Sequence, residues 1–584
     1  MTAQSAAERR NALENQYPVW PRYTLSAHFA DQARRYRECP FLITETATYS
    51  YEDIWREGRR HAKALLGLGV RRREHVAVLM ANEPEYAFLM LGVWLAGAVC
   101  VPINTMLRGE EISYLINQSE SRWLFLHQSA GGVPHSAAIA AQFETLVHTE
   151  DRSGLKRVVC IQNTDTPLDP RFLAWASFME MGDGVSEEQV DARMAQSSYP
   201  DEVADIIYTS GSTGAPKGVM ITHDMFLRAA FINALSRAFE DGRRVYTALP
   251  LYHVFALVVG LLAVSFVGGA LIIAPSFSPR LSLQMVEKHK ANDILCVPSM
   301  LVALLNHPDL HMFDTSSLYA MLCAAAPAPI VVWQRAIELL ELTEVCTAYG
   351  GTEATAGTVY TDVGDPIATV ASRVGRIMPG GSSGLPEFGG VNVQYKTVDP
   401  FTGEDLPQGS VGELTVRGNL VTRGYFNKPD ETAAVIDKDG WLRSGDLGRV
   451  DDEGYIEFLG RSKDLYKISG ENVAPKEVEE AISRHPAVAQ VYVVGVRDAM
   501  TTETGAAFVE LRPNQACTRR EIVAYCREHL ARFKVPRYVW FVTAADWPLT
   551  GTGKIQKFRL KEMAEERIRV QDGLEKENYG ALGT

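Results

Sequence analysis

Tyr208-Thr209-Ser210-Gly211-Ser212-Thr213-Gly214-Ala215-Pro216-Lys217-Gly218-Val219 follows the apolar pair Ile206-Ile207 and packs hydroxyls, glycines and one cation into a single loop. Glycines let the backbone approach a ligand and turn its N–H groups toward an anion. Ser and Thr add short donors, and Lys217 adds a charge suited to phosphate. The stretch is not a G-x-x-x-x-G-K-[ST] loop. Counted from Gly211, Pro216 stands where the second Gly belongs, and Gly218 where Ser or Thr belongs. A flexible Gly/Ser linker is the plainer reading, but linkers rarely lie between a β-branched run and an apolar one. This is a phosphate loop of another kind.

Around that loop lie 584 residues, too many for one ordinary core, so two or more domains are expected. Hydrophobic content of 46% and charged content of 22% belong to a globular chain rather than a disordered one. The net charge of −13 argues against nucleic acid, which needs a basic face, but still admits a small anion held by local cations. The eight cysteines are scattered, without a C-x-x-C pair or zinc spacing, and read as reduced core thiols of a cytoplasmic protein. The polar stretch Met1 to Arg10 has no apolar core of a secretory signal. Phe255 to Ala274 reaches the about 20 residues a membrane span requires. Gly268-Gly269 divides it, however, so it reads as a buried helix followed by a buried parallel strand. No integral membrane segment is expected, although a lipid substrate would admit peripheral membrane contact.

The first half alternates helix and strand patterns. Ser50-Tyr51-Glu52-Asp53 starts a helix with a capping-box carboxylate, and Gly69 stops it. His75 to Met80 is a strand, Asn82 and Pro84 open a second helix, and Val99 to Ile103 is the next strand. Such units imply parallel sheets covered by helices. From Val391 short strands (391–398, 411–418, 454–460) punctuated by turns suggest a β-rich subdomain. After Lys463 an α+β unit follows: helix 475–485, strands 488–496 and 506–511, helix 518–530 and strand 537–542.

Further motifs follow the loop in order: Leu249-Pro250-Leu251-Tyr252-His253-Val254-Phe255, Ala348-Tyr349-Gly350-Gly351-Thr352-Glu353, and Gly412 to Gly418. Trp441 to Asp446, Gly460-Arg461-Ser462-Lys463-Asp464 and Pro548-Leu549-Thr550-Gly551-Thr552-Gly553-Lys554-Ile555 complete the set. Together they resemble the adenylate-forming superfamily, and within it the AMP-binding acyl- and aryl-CoA synthetases, over roughly Leu25 to Lys561. The resemblance implies an α/β fold: a large N-terminal domain of αβ-layered sheets plus a β-rich subdomain (1–462), then a small mobile α+β C-terminal domain (463–584). It also implies ATP, Mg2+ and coenzyme A as cofactor and co-substrates.

The chemistry fits, since two anions, a carboxylate and the α-phosphate of ATP, must meet while the site cancels their repulsion. By resemblance, Thr209, Ser210, Gly211, Ser212, Thr213, Gly214 and Lys217 cradle the phosphates. Thr352 contacts them too, and Glu353 holds Mg2+, as a hard cation prefers. The plainer reading of Thr352-Glu353 is a helix N-cap with a first-turn acid. Tyr349 and Gly350 border the adenine, Asp446 accepts from the ribose hydroxyls, and Arg461 is its partner. Lys554, on a Thr-Gly-Thr-Gly turn, is the expected catalytic cation between substrate carboxylate and α-phosphate; its plainer fate is a solvated surface lysine. Lys467 resembles a second phosphate-contacting lysine. Lys463 stands at the family's hinge, where the small domain rotates to bring Ser469-Gly470-Glu471-Asn472 toward the thiol's channel.

Phe231, His253, Ala325 within the run Ala324-Ala325-Ala326, Ala348 and Gly351 are expected around the acid, with His253 as a gate; a lone His is also commonly structural. No carboxylate accompanies Tyr252-His253, which disfavours an amino-acid substrate. Small side chains leave room for a medium or long fatty acid or a bulky alicyclic or aromatic acid. The stretch 381–390 is longer than the usual family connection. No carrier domain follows Lys554, so free CoA is the expected acceptor, with an acyl-AMP ligase serving a separate carrier protein as the alternative and luciferase-type oxidation left open. A homodimer is admitted.

Overall fold

In the computed structural model residues 4–130, 132–147, 154–209, 215–468, 471–498, 501–550 and 553–580 are described. Ser210 to Gly214 and Gly470, expected at the phosphates and the thiol channel, lie outside them. Two seven-stranded sheets form the large body. One runs Glu344–Cys346, Ala320–Cys323, Asp293–Cys296, Arg244–Thr247, Ala270–Ile273, Pro40–Ile43 and Thr48–Ser50, all parallel except the last strand. The other runs Leu173–Ala174, Arg157–Ile161, Trp123–His127, His75–Leu79, Val99–Pro102, Val203–Thr209 and Lys217–Thr222, again with an antiparallel edge. Continuous apolar strands are what sheets covered on both faces require. In His75–Leu79, Val76 and Val78 enter the main core, while Ala77 and Leu79 enter a second core with Ile112 and Leu115.

Local chemistry explains the elements. Ser50 caps Tyr51–Leu68 by accepting from Asp53 N–H, and Gly69 ends it at φ 93°. The second helix is Pro84–Leu95, preceded by Glu83 rather than Asn82. Asn82 instead ties two segments together, donating to the Leu249 and Ala274 carbonyls and accepting from Leu251 N–H. The apolar stretch from Val254 is a buried helical run with a π-turn over Leu257–Leu262, then the interior parallel strand Ala270–Ile273. Among the described residues no helix is long and apolar enough to cross a membrane.

Beyond these sheets, a four-stranded antiparallel sheet is built from Val393–Val398, Gly412–Gly418, Leu442–Val450 and Ile456–Arg461. The third of these was legible only as a motif in a turn. A five-stranded sheet then combines Glu471–Val473, Tyr466–Ile468, Thr502–Leu511, Val488–Asp498 and Tyr538–Val542. It packs against Pro475–Ser483 and Arg519–His529 around Val478, Ile482, Val493, Val509 and Ile522. The 381–390 stretch is not a free excursion, because Arg228 donates to Ser383 O and Ser383 Oγ to Gly380 O.

Asp205, on the strand leading into the phosphate loop, is fully buried beside Cys100 and Tyr86. Trp94 Nε1 donates to its Oδ1 at 2.8 Å, while Oδ2 has no partner. Burial raises its pKa to about 7 against the Trp94 bond. A carboxyl whose folded pKa is raised stabilises the fold below its unfolded value, near 4, and that contribution fades as pH climbs from 4 through 7. Asp205→Asn is therefore expected to match the wild type in thermal unfolding at pH 4.5 and to exceed it at pH 8, by up to a few kcal/mol. A constant offset across that range would contradict the burial argument.

Candidate active site

The site gathers where parallel strands end. Four neighbouring strands of the first sheet deliver, from their carboxyl ends, Leu249–His253, Val297–Ser299, Ala324–Ala326 and Thr347–Gly351, the usual place for ligands in α/β sheets. The strand Ala348–Gly351 pairs with Ala356–Tyr360 so closely that a Cβ on Gly350 would lie 1.8 Å from Ala356 O. Only glycine fits there. Gly350 and Gly351 are exposed, and Ala348 and Tyr349 partly so. Ala325 is exposed at φ 73°, a strained conformation for alanine of the kind found at functional sites.

Thr352 starts a short 3-10 turn rather than capping a helix, and Gly351 precedes it in extended conformation. The turn aims Glu353 at the end of Val203–Thr209. Glu353 Oε1 accepts from Thr209 Oγ1 at 3.4 Å and Tyr425 OH at 3.1 Å, and Glu353 O accepts from Thr422 N–H at 2.8 Å. Lys217 Nζ lies 4.9 Å from the centre of the Tyr425 ring. Thr209, Lys217, Glu353 and Tyr425 thus share one locus. Sequence reasoning missed Tyr425, because segment 422–426 reaches the site by pairing with Lys217–Thr222 (Phe426 N–H to Gly218 O, 2.8 Å), a long-range contact. One carboxylate among hydroxyls fits Mg2+, which takes few protein ligands and completes its shell with phosphates and water.

Asp446 reaches Tyr349 from the four-stranded sheet. Its Oδ2 accepts from Tyr349 OH at 2.7 Å, and Arg461 Nε stands 3.5 Å from Oδ1. Oδ1 itself is buried without a hydrogen-bond partner. A buried acceptor left open can still take a hydrogen bond from a ligand hydroxyl. Burial raises the Asp446 pKa, opposed by Arg461, Tyr349 and Lys554. The Tyr349 ring packs on Phe458 and Tyr395, with centroids 6.0 and 6.2 Å away, so its hydroxyl serves Asp446 while its ring completes an aromatic wall.

Lys554 arrives from the C-terminal domain. Its N–H donates to Thr550 Oγ1 at 3.0 Å, and Thr550 N–H donates to Lys554 O, closing the turn. Ser299 Oγ donates to Gly553 O at 2.8 Å, fastening that turn to the large body. At φ 77° Gly553 sits where a side chain is strained, and a Cβ there would lie 3.0 Å from Val297 Cγ2. Lys554 feels the charges of Arg461 and Asp446, and its own charge acts on His253. Burial and Arg461 push its ammonium down to about 8, against the pull of Asp446.

His253 Nδ1 accepts from Phe255 N–H at 3.1 Å, which leaves the proton of the neutral ring on Nε2. Burial, and then Lys554, hold its pKa at about 3, so His253 is a neutral wall rather than an acid or base. Phe231 is fully buried and packs with Tyr17, Trp20 and Phe266 at 5.4 to 5.7 Å. The helix His223–Ser236, which carries Phe231, joins the π-turn through Asn233, which donates to Val259 O. Lys467 is exposed, with its N–H bonded to Glu503. Lys463 lies in the turn Ser462–Asp464, its pKa lowered by burial and Arg461.

The chain as a whole is matched by known proteins. The AMP-binding enzyme family is matched over residues 29–426, and the AMP-binding enzyme C-terminal domain over 477–554. The chain belongs to the AMP-binding enzymes. A Mycobacterium tuberculosis ligase named for 3-[(3aS,4S,7aS)-7a-methyl-1,5-dioxo-octahydro-1H-inden-4-yl]propanoyl:CoA is 33% identical over 522 residues, covering 89% of this chain and 95% of the relative. The zebrafish (Danio rerio) mitochondrial medium-chain acyl-CoA ligase is 28% identical over 543 residues, covering 91% and 86%. Among solved structures, ATP-bound MatB from Rhodopseudomonas palustris aligns with a TM-score of 0.76 at 26% identity, over 91% of this chain and 98% of that one. This AMP-binding enzyme is an ATP-dependent carboxylic acid:CoA ligase forming acyl-CoA, AMP and pyrophosphate through an acyl-adenylate, with Mg2+.

Proposed function

We propose that Lys554 is the cation that joins the two anionic substrates, and that the acid it serves is apolar. The observation carrying this reading is the position of Lys554 beside His253, Asp446 and Arg461 at the carboxyl edge of the first sheet. With the phosphates on Lys217 and Thr352, and the ribose on Asp446, the Lys554 ammonium offsets charge on carboxylate and α-phosphate during in-line attack. Mg2+, when bound at Glu353, neutralises phosphate charge; Thr209 and Tyr425 orient that carboxylate. His253 stays neutral and borders the acid, with Ala325, Ala348 and Gly351 around it and Phe231 behind.

An apolar acid suits this wall. The run from Val254 to Val267 is buried and apolar apart from Ser265, and no second anchoring cation stands beside His253 besides Lys554 among the described residues. The relatives named for medium-chain and alicyclic propanoyl substrates add support for a medium-sized aliphatic or alicyclic acid. The test is mass spectrometry of purified protein with ATP, Mg2+, CoA and a pool of aliphatic, alicyclic, aromatic and dicarboxylic acids. An aliphatic or alicyclic acyl-CoA with equal AMP is expected. Preferential turnover of a dicarboxylic acid would refute the apolar assignment.

The boundary between the N-terminal adenylation domain (1–462) and the mobile C-terminal domain (463–584) falls at Lys463. Support comes from its place in a three-residue turn between the last strand of one sheet and the first of another. In this reading the small domain turns there, withdrawing Lys554 and bringing the segment around Gly470 toward the channel through which the CoA thiol attacks the acyl-adenylate carbonyl and displaces AMP. Lys467 would approach the phosphates only after such a movement. Lys463→Pro, which stiffens the turn, is expected to leave adenylate formation within about threefold and to slow thioester formation by about tenfold or more. Unchanged overall turnover would remove Lys463 from the hinge.

A further inference from the structure

Away from the nucleotide, the two domains meet along a narrow cleft that places like charges together. One wall is formed by Val302, Asn306 and the start of the helix Ile330–Leu340, which contributes Arg335. Val488, Ala489 and Arg512 of the C-terminal domain form the other wall. Arg335 Nη2 donates to Leu305 O and Asn306 Oδ1, both at 3.1 Å, and Arg512 Nε donates to Val488 O at 3.0 Å. Each guanidinium therefore keeps donors to spare. Both are partly buried, and among the described residues neither has a carboxylate within ion-pair distance. Glu338, on the helix of Arg335, is the acidic group that acts on it from a distance. Burial, and then Arg512, weaken the hold of Arg335 on its proton. The helix Ile330–Leu340 also begins at this cleft with no side-chain cap, so its first N–H groups add positive potential.

Two unneutralised guanidinium groups across a movable interface oppose its closure, and an oxyanion with several acceptors resolves that conflict by bridging them. We propose that Arg335 and Arg512 form a site for a phosphate dianion, free or as a phosphate monoester, that fastens the C-terminal domain in the arrangement bringing Lys554 to Asp446. The proposal rests on the domain rotation described above. Because the bound anion favours one of two arrangements, it slows the half-reaction that needs the other.

The test uses the full-length enzyme without ATP, titrated with orthophosphate or glycerol phosphate against chloride at constant ionic strength. Wild type is expected to gain a saturable rise in unfolding temperature. Transfer from supplied acyl-adenylate to CoA should slow about tenfold at saturation, within the range of ordinary site-to-site coupling. Arg512→Gln should lose both responses while retaining adenylation without phosphate, and Arg335→Lys should keep a weakened response. Phosphate bound at the nucleotide locus would stabilise wild type and Arg512→Gln equally, and that equality overturns the site. Stabilisation specific to wild type with no slowing of transfer overturns the fastening role. A response to orthophosphate alone identifies the free ion, and one to the monoester as well identifies the phosphoryl group as what is recognised. Failure of the rotation itself shows separately, through the Lys463→Pro comparison.

Discussion

Lys554→Ala is expected to lower acyl-adenylate formation by a hundred- to a thousandfold, about the cost of removing one preorganised charge from a developing transition state. Transfer of a supplied acyl-adenylate to CoA should stay within about threefold of wild type, because the proposed rotation would withdraw this residue before the thiol attacks. Pyrophosphate exchange and single-turnover thioester formation measure the two steps separately, and equal loss in both would refute the role. A pH signature accompanies the prediction. Burial and Arg461 lower the Lys554 ammonium to about 8 in the nucleotide-free site, so protonated Lys554 is depleted as pH rises through 8. The specificity constant for adenylation should therefore fall above pH 8. The rate at saturating ATP should persist to higher pH, because nearby phosphates favour the charged form.

Glu353→Gln should be nearly as damaging, with adenylation reduced by about a hundredfold or more and the Mg2+ requirement moved to higher concentration. The amide keeps the shape and still accepts from Tyr425 and Thr209, so the loss isolates the carboxylate charge. Tyr425→Phe, which removes one bond to Oε1, should cost about tenfold or less, with the same direction of shift in Mg2+ dependence. Titration of Mg2+ at fixed ATP decides the assignment. An unchanged half-saturation in Glu353→Gln would place the metal elsewhere.

Much of this protein was legible before any coordinates. Period and punctuation located Tyr51–Leu68, His75–Leu79, Pro475–Ser483 and Arg519–His529 to within a few residues, because capping and alternation are local. The split of the apolar run at Gly268-Gly269 into helix and buried strand was legible for the same reason. Thr209, Lys217, Tyr349, Glu353, Asp446, Arg461 and Lys554 were named from motifs in chain order, whereas Tyr425 was not. Asn82 misled, since a cap-type residue can bond to distant carbonyls as well as to the next turn. The strand Leu442–Val450 was hidden, because a polar segment containing Arg443, Ser444, Gly445 and Asp446 becomes a strand through its neighbours on both sides.

By itself the sequence determined the kind of loop, the class of fold and the identity of the charged groups, because each rests on residue type and short spacing. The tertiary structure alone decided that Tyr425 orients Glu353, that Tyr349 serves Asp446 through its hydroxyl, and that Asp446 keeps one oxygen open. It alone lowered Lys554 and held His253 neutral. Those properties come from burial and from groups roughly 70 to 300 residues apart in the chain, and no local pattern encodes the dielectric or the neighbours a side chain will meet.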